Sequence, residues 1–145
     1  MHICEPRSRE DFERYYYLRW KILRKPWNQP KGSEIDDNLE DKSIHIMVCD
    51  EDRRPVGVAR LHFNTPEEAQ IRYMAVDDDF QRRGIGTMLP EELERRAKKR
   101  GVRYIILNAR ENAVGFYRKN GYIIVEKTYI LFDTIQHFKM RKDLI

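Results

Sequence analysis

The sequence predicts a mixed α/β (α+β) fold, a β-sheet with helices on its faces, and three observations predict it. Apolar residues switch along the chain between the alternation of strands and the three-to-four spacing of helices. The resulting order is strand, helix, three strands, helix, strand, helix, two strands, which implies a mixed sheet. Gly101 and Gly121 stand where two of the helices must stop.

Ile3 and Cys4 are expected to form a short opening strand. Ser8 then precedes a helical run from Glu10 to about Leu23, with Phe12, Tyr16, Leu18 and Ile22 among charges. From Lys25 to Ser43 two prolines and a glycine prevent a continuous helix, so this stretch is expected to be a long ordered loop with room for a helical turn. The β-branched runs IHIMVCD and PVGVARLHF, separated by the charged turn Asp50 to Arg54, read as an antiparallel hairpin. QIRYMAV follows as a third strand. Ile85, Met88, Leu89, Leu93 and Ala97 make the apolar stripe of a helix from Gly84 to Arg100 that lies on a sheet. Pro90 inside that helix removes the amide that should bond to Gly86 and predicts a kink or a loosened first turn. RYIILN reads as a buried strand, Asn112 to Lys119 as a short helix, and YIIVEKTYILF and TIQHFKM as the closing strands.

The 145 residues fit one domain, 1–145, with one cleft. Lys plus Arg number 28 against 24 Asp plus Glu, a net charge of +4, which is too mild to imply nucleic acid by itself. Cys4 and Cys49 match no metal spacing, and two thiols are too few for a disulfide scaffold, so a reducing cytoplasm is the expected home. No metal site is expected. MHICEPRSRE lacks the apolar stretch of a secretory signal, and no segment approaches the roughly 18 apolar residues of a membrane span, so a soluble protein without a membrane partner is expected.

The most informative stretch is AVDDDFQRRGIGTML, in which a strand ends, a turn follows and QRRGIG opens an amphipathic helix. The first turn of a helix presents unpaired backbone donors and about half a positive charge, and glycines let an anion approach the backbone. Arg82 and Arg83 add mobile cations, and Thr87 a hydroxyl, so the arrangement suits a polyphosphate. It is neither a P-loop nor the GxGxxG of a dinucleotide site.

QRRGIG fits the QxxGxG pattern of the GNAT N-acetyltransferases, and the preceding IRYMAVDDDF resembles their central strand. NAVGFYRKNGY resembles their second signature, a short helix with a Phe-Tyr pair followed by a glycine-aromatic strand start. The resemblance runs from about Tyr15 to Asp143, and LRWKILRKPW, GVARLHF and HFKM look like the small ElaA-like members. It implies a sheet splayed open between QIRYMAV and RYIILN, with the pantetheine arm of acetyl-CoA in the gap, paired with main-chain groups of Met74, Ala75 and Val76. The pyrophosphate would sit on Gln81, Arg82, Arg83, Gly84, Ile85, Gly86 and Thr87. Asn112 and Phe116 count with the coenzyme side, Asn112 chiefly as a helix cap.

By the same resemblance Tyr117 is the general acid, since a phenol of pKa near 10 can protonate a departing thiolate of pKa roughly 8.5. His137 is the expected base, because alternation turns it and Ile135 away from the face that carries Phe138 and Met140. Glu68, His62 or an ordered water are the alternatives, and the amide near Val76 would stabilise the oxyanion. The acidic loop residues Glu34, Asp36, Asp37, Glu40 and Asp41, beside Trp27, predict a bias towards cationic amine acceptors. Two other readings are a non-catalytic acyl-CoA sensor and nucleic-acid binding by the helix carrying Arg95, Arg96, Lys98, Lys99 and Arg100. The second ranks last for want of interleaved aromatics. A homodimer is possible, with no edge strand singled out.

Overall fold

The computed structural model describes residues 1–144. Seven strands form one sheet: β1 His2–Cys4, β2 Ile44–Cys49, β3 Pro55–Phe63, β4 Glu68–Val76, β5 Tyr104–Arg110, β6 Ile123–Leu131 and β7 Ile135–Asp143. Their spatial order is β1-β2-β3-β4-β5-β7-β6. Every pairing is antiparallel except that of β4 with β5. Three helices complete the chain: α1 Arg9–Leu23, α2 Ile85–Lys99 and α3 Val114–Lys119. The predicted order of elements is therefore the observed one.

Local chemistry explains the boundaries. Ser8 caps α1 by accepting the Asp11 amide at 3.0 Å while the Asp11 carboxylate accepts the Ser8 amide, a reciprocal pair that satisfies two donors at the helix start. α2 continues through the buried Pro90 without a break; the lost amide removes one bond near the start of a helix held mainly by its apolar stripe. α3 is preceded by a 3-10 turn at Glu111–Ala113 and starts after Ala113 with no side-chain cap, so Asn112 is not the cap expected of it.

Two cores result, one on each face of the sheet. Ile85, Leu89, Leu93 and Ala97 of α2, with Tyr117 of α3, pack against Ala69, Ile71, Ile105, Leu107 and Met140. Tyr15 and Leu18 of α1 pack against Met47, Val58 and Ala75 on the other face. Burying each of the leucine, isoleucine, valine and methionine side chains among them contributes about 1.5–3 kcal/mol. At the outer edge, β6 exposes Ile123, Val125, Tyr129 and Ile130. No helix among the described residues is long and apolar enough to cross a membrane.

Cys4 and Cys49 form a disulfide, which corrects the expectation from their number. Ile3 pairs with Val48 across the β1–β2 ladder, so Cys4 and Cys49 lie diagonally opposed on one face, with Cα atoms 6.5 Å apart. The inference of a reducing compartment loses its support, because strand register, invisible in the count of thiols, brings the two sulfurs together.

The long loop is ordered by charge. Arg19 of α1 and Arg60 of β3 are both completely buried. Arg60 meets Asp37 at 2.8 Å and Glu40 at 2.5 Å, and Arg19 meets Glu40 at 3.1 Å. Asp37 is held well below the usual carboxylate range, first by hydrogen bonds from Arg60. Arg60→Ala should lower unfolding free energy in urea by about 3–5 kcal/mol, because it leaves largely buried carboxylates without their cation. Since the Asp37 carboxyl titrates lower when folded than when unfolded, its contribution is present above about pH 4 and should be lost as pH falls below that. The same titration in Arg60→Ala should show a shallower acid limb.

Candidate active site

β4 is the strand on which the site is built. It pairs with β5 only from Glu68 opposite Tyr104 to Ile71 opposite Leu107, after which the two strands part. At the same place the β3–β4 ladder slips: Arg60 faces Arg72 but Val58 faces Ala75, so Tyr73 and Met74 together oppose Ala59. Tyr73 there has φ 56°, a left-handed conformation that a bulky side chain rarely adopts. This bulge inverts the alternation. Before it Ala69 and Ile71 face the α2 core; after it Met74 and Val76 do, and Ala75 turns to α1. The sequence carried no signal for it, since no glycine marks the position.

A cavity of about 500 Å³ opens where β4 and β5 separate, lined by Met74, Tyr117 and His137 together with Arg24, Asp36, Arg72, Asn108, Arg110 and Tyr129 among others. It joins the two faces of the sheet, since Met74 and Tyr117 belong to the α2 side while Arg24 and Asp36 come from the end of α1 and the long loop. Tyr117 is buried, and its hydroxyl points at the Met74 sulfur at 3.6 Å, a weak acceptor. Burial pushes its phenol well above the ordinary range, so it keeps its proton near neutrality.

His137 lies on β7 directly across from Arg110 on β5. Its ring stacks on Tyr129 with centroids 4.5 Å apart, and Nδ1 stands 3.0 Å from the Ile135 carbonyl oxygen. A carbonyl can only accept, so Nδ1 carries the hydrogen and Nε2 keeps a lone pair. Burial first, and Arg110 and Arg24 further down, lower its pKa. The other candidate bases lie elsewhere. His62 is buried against Arg60 at 3.0 Å, and Glu68 accepts from Asn64 at 2.8 Å; neither lines the cavity.

The start of α2 has the open form expected of an anion site. It has no side-chain cap, and the amides of Arg82, Arg83 and Gly84 have no hydrogen-bond acceptor among the described residues. Arg82 at φ 64° and Gly84 at φ 79° are left-handed on either side of Arg83, an alternation that gathers successive amides into a concavity. Gly84 is exposed with nothing within 4 Å of where its Cβ would stand, while a Cβ at Gly86 would come 3.3 Å from the Phe116 ring. Phe116 therefore packs on the helix start beside Val76, and Ile85 is buried in the core. Gln81 ties the turn together, donating to the Val76 carbonyl at 3.2 Å and to Asp78 at 3.2 Å. Thr87 lies in the first turn, half-buried. Asn112 is exposed on the 3-10 turn before α3. These features fit a bound diphosphate: free amides, a backbone with room above it, and two exposed arginines.

Residues 12–122 match the model of the acetyltransferase (GNAT) family. This chain belongs to the GNAT acetyltransferases. An uncharacterized N-acetyltransferase of Bacillus subtilis, YjcF, is 32% identical over 137 residues, covering 94% of this chain and 96% of the relative. Among solved structures, an aminoglycoside 6'-N-acetyltransferase complexed with coenzyme A superposes with TM-score 0.83 at 18% identity, over 100% of this chain and 98% of that one. ElaA of Escherichia coli gives 0.80 at 19% identity, over 97% of each chain. These likenesses establish a GNAT fold, within which β4 and β5 of this chain part beyond Ile71 and Leu107.

The acidic loop does not form the anionic rim expected of it. Asp36, Asp37 and Glu40 are consumed by Arg19, Arg24, Arg60 and Arg72, and Glu34 is buried with its carboxylate on the Gly32 amide. The cavity's cations, Arg24, Arg72 and Arg110, were not foreseen. Alternation along β5 was the available signal for Arg110, since Ile105, Leu107 and Ala109 face the α2 core and leave Asn108 and Arg110 to the other side. Gly84→Ala should lose about 1–2 kcal/mol in a urea titration, the cost of a left-handed alanine. Because its methyl meets no neighbour, the loss should come with weakened protection by acetyl-CoA against thermal unfolding.

Proposed function

We propose that this acetyltransferase moves the acetyl group of acetyl-CoA to a primary amine by direct attack of the amine on the thioester. The observation that carries the reading is the single cavity running through the β4–β5 gap, which brings Tyr117 from one face and His137 from the other to one space. The coenzyme's diphosphate would rest on the amides from Arg83 to Thr87, with Gln81 and Arg82 shaping the turn, Phe116 and Asn112 bordering it, and the pantetheine arm following Met74, Ala75 and Val76 into the gap. The free edge of β4 beyond Ile71 supports this path, because it offers the arm unused backbone partners.

An alkyl amine is mostly protonated near neutrality, so the attacking nitrogen must first be neutral and must lose a second proton after attack. His137 Nε2 accepts that proton as the new C–N bond forms, and its lowered pKa keeps the imidazole unprotonated and ready at pH 7. The oxygen charge of the tetrahedral intermediate is stabilised by the amide near Val76. When the C–S bond breaks, Tyr117 supplies the proton to the thiolate, giving free coenzyme A. Because the buried phenol is a weaker acid than the thiol, the phenolate left behind is reprotonated at once by the proton that His137 took from the amine, so that one proton passes overall from nitrogen to sulfur and both side chains are restored.

Tyr117→Phe should bind acetyl-CoA with unchanged affinity in calorimetry while kcat falls on the order of a hundredfold. Wild-type turnover in that protein removes the acid role. With the amine saturating, kcat of the native protein should rise with pH through an inflection below the ordinary imidazole value of 6.5, and His137→Gln should lose that inflection. An unchanged profile excludes His137 as the base. Failure of every amine in a broad panel to release thiol would instead favour a module that only holds acyl-CoA.

A further inference from the structure

The wall of the cavity carries an uncompensated positive charge. Three arginines, Arg24, Arg72 and Arg110, line it with one carboxylate, Asp36. Asp36 is already shared: Arg24 approaches at 3.2 Å, Arg72 at 3.2 Å, and the Tyr73 hydroxyl donates to it as well. Arg110 is left over. Among the described residues no carboxylate lies within 4.0 Å of it, and of its five donors one is bonded in the protein, Nη2 to the Leu23 carbonyl at 2.9 Å. Its guanidinium is held in place all the same, stacked 4.4 Å from the centre of the Trp27 ring. Burial and the neighbouring Arg24 push its pKa down to about 10, the mark of a cation held out of water near another cation.

A half-buried guanidinium fixed on an aromatic ring, with a charged neighbour and free donors facing a cavity, is unfavourable until something anionic enters. Its planar fork matches the paired oxygens of a carboxylate. Its location sets the size of the ligand. Arg110 and His137 are direct partners across an antiparallel ladder, and such pairs have Cβ atoms about 4.5–5.5 Å apart. Both also line one cavity of about 500 Å³, so an anion on Arg110 and a nitrogen near His137 belong to one small molecule.

Resting on the acetyl-transfer reading above, we infer that the acceptor is a small amino acid whose carboxylate is bound by Arg110 while its amine faces the thioester. The cavity selects for an amine that carries its own anion and against diamines and polyamines, which would add positive charge beside Arg24 and Arg110. In the transfer itself the amine nitrogen gains the acetyl carbon, sulfur leaves as the thiol, and the acceptor's carboxylate is unchanged.

The test is thiol release from acetyl-CoA with matched acceptors: short α-, β- and γ-amino acids, each beside its carboxamide and its decarboxylated amine, and a short diamine. The acids should exceed their carboxamides in kcat/KM by about tenfold to a hundredfold, the worth of a charge-assisted hydrogen bond. Arg110→Gln should collapse that ratio through KM, and Arg110→Lys should restore part of it. Preference for the carboxamides, the simple amines or the diamine overturns the inference while leaving acetyl transfer intact. Where no amine is acetylated by a protein that still binds acetyl-CoA, the acetyl-transfer reading fails first. The inference is then decided by calorimetry with N-acetylated amino acids on the coenzyme A-saturated protein. Binding that Arg110→Gln abolishes sustains it, and absence of binding overturns it. The panel on the unaltered protein decides the question independently of how the variants fold.

Discussion

The parting of β4 from β5 is the constraint on which the rest of the molecule depends. A parallel ladder that ran the full length of both strands would close the sheet and fill its middle with paired backbone. Here it stops at Ile71, and the two-for-one bulge at Tyr73 and Met74 turns β4 away from its neighbour. The bulge also decides which side chains see which face. Without the inversion it introduces, Met74 would point to α1 and Ala75 to α2, and the sulfur under the Tyr117 hydroxyl would be on the wrong side of the sheet. One irregular residue pair thus sets the cavity, the exposed backbone edge and the place of the Met74 sulfur under the Tyr117 hydroxyl.

A left-handed tyrosine is costly, of order 1–3 kcal/mol, and the structure shows what holds it. Four guanidinium groups, from Arg19, Arg24, Arg60 and Arg72, lie within 6 Å of the Tyr73 ring centre, and its hydroxyl ends on Asp36. Each guanidinium over an aromatic face contributes about 0.5–1 kcal/mol or more when desolvated. The carboxylates of the long loop, Asp36, Asp37 and Glu40, then neutralise those cations. Loop, helix α1 and bulge form one charged assembly. The balance is imperfect, since Nε of both Arg19 and Arg60 is buried without a partner. Imperfect satisfaction of a buried network is common where geometry is set by function rather than by stability.

Much of this was legible in the chain. Periodicity located every strand and helix, because the apolar stripe of α2 and the continuous apolar run of β5 follow from which faces they bury. QRRGIG announced the open helix start, since glycine at a left-handed position and an uncapped first turn are local properties. What escaped depends on register and on pairs distant in sequence. The disulfide needs Ile3 opposite Val48. The burial of Arg19 needs a loop folded back with Glu40 in hand. Asn112 has the residue type of a cap and stands near a helix start, but it lies inside a 3-10 turn and Ala113 takes the cap position. The bulge has no compositional mark at all, since Tyr73 occupies a conformation that usually calls for glycine.

The sign of the cavity shows most clearly why local composition misleads. Read along the sequence, the loop around Asp36 is acidic and invites a cationic guest. In space, the same acids are the counter-charges of arginines delivered by α1, β3 and β4, and they are spent before they can meet a ligand. Charge that matters to a ligand is what remains after internal pairing, and that remainder is a property of the fold. Here it is Arg110, a residue in the final position of a strand, far in sequence from any acid that contacts the cavity. On the acetyl-transfer reading, its free donors would make one end of this space hold an anion while the imidazole opposite would accept a proton at the other. A zwitterionic acceptor matches both ends at once, with its carboxylate discharging the cation that the protein leaves unpaired.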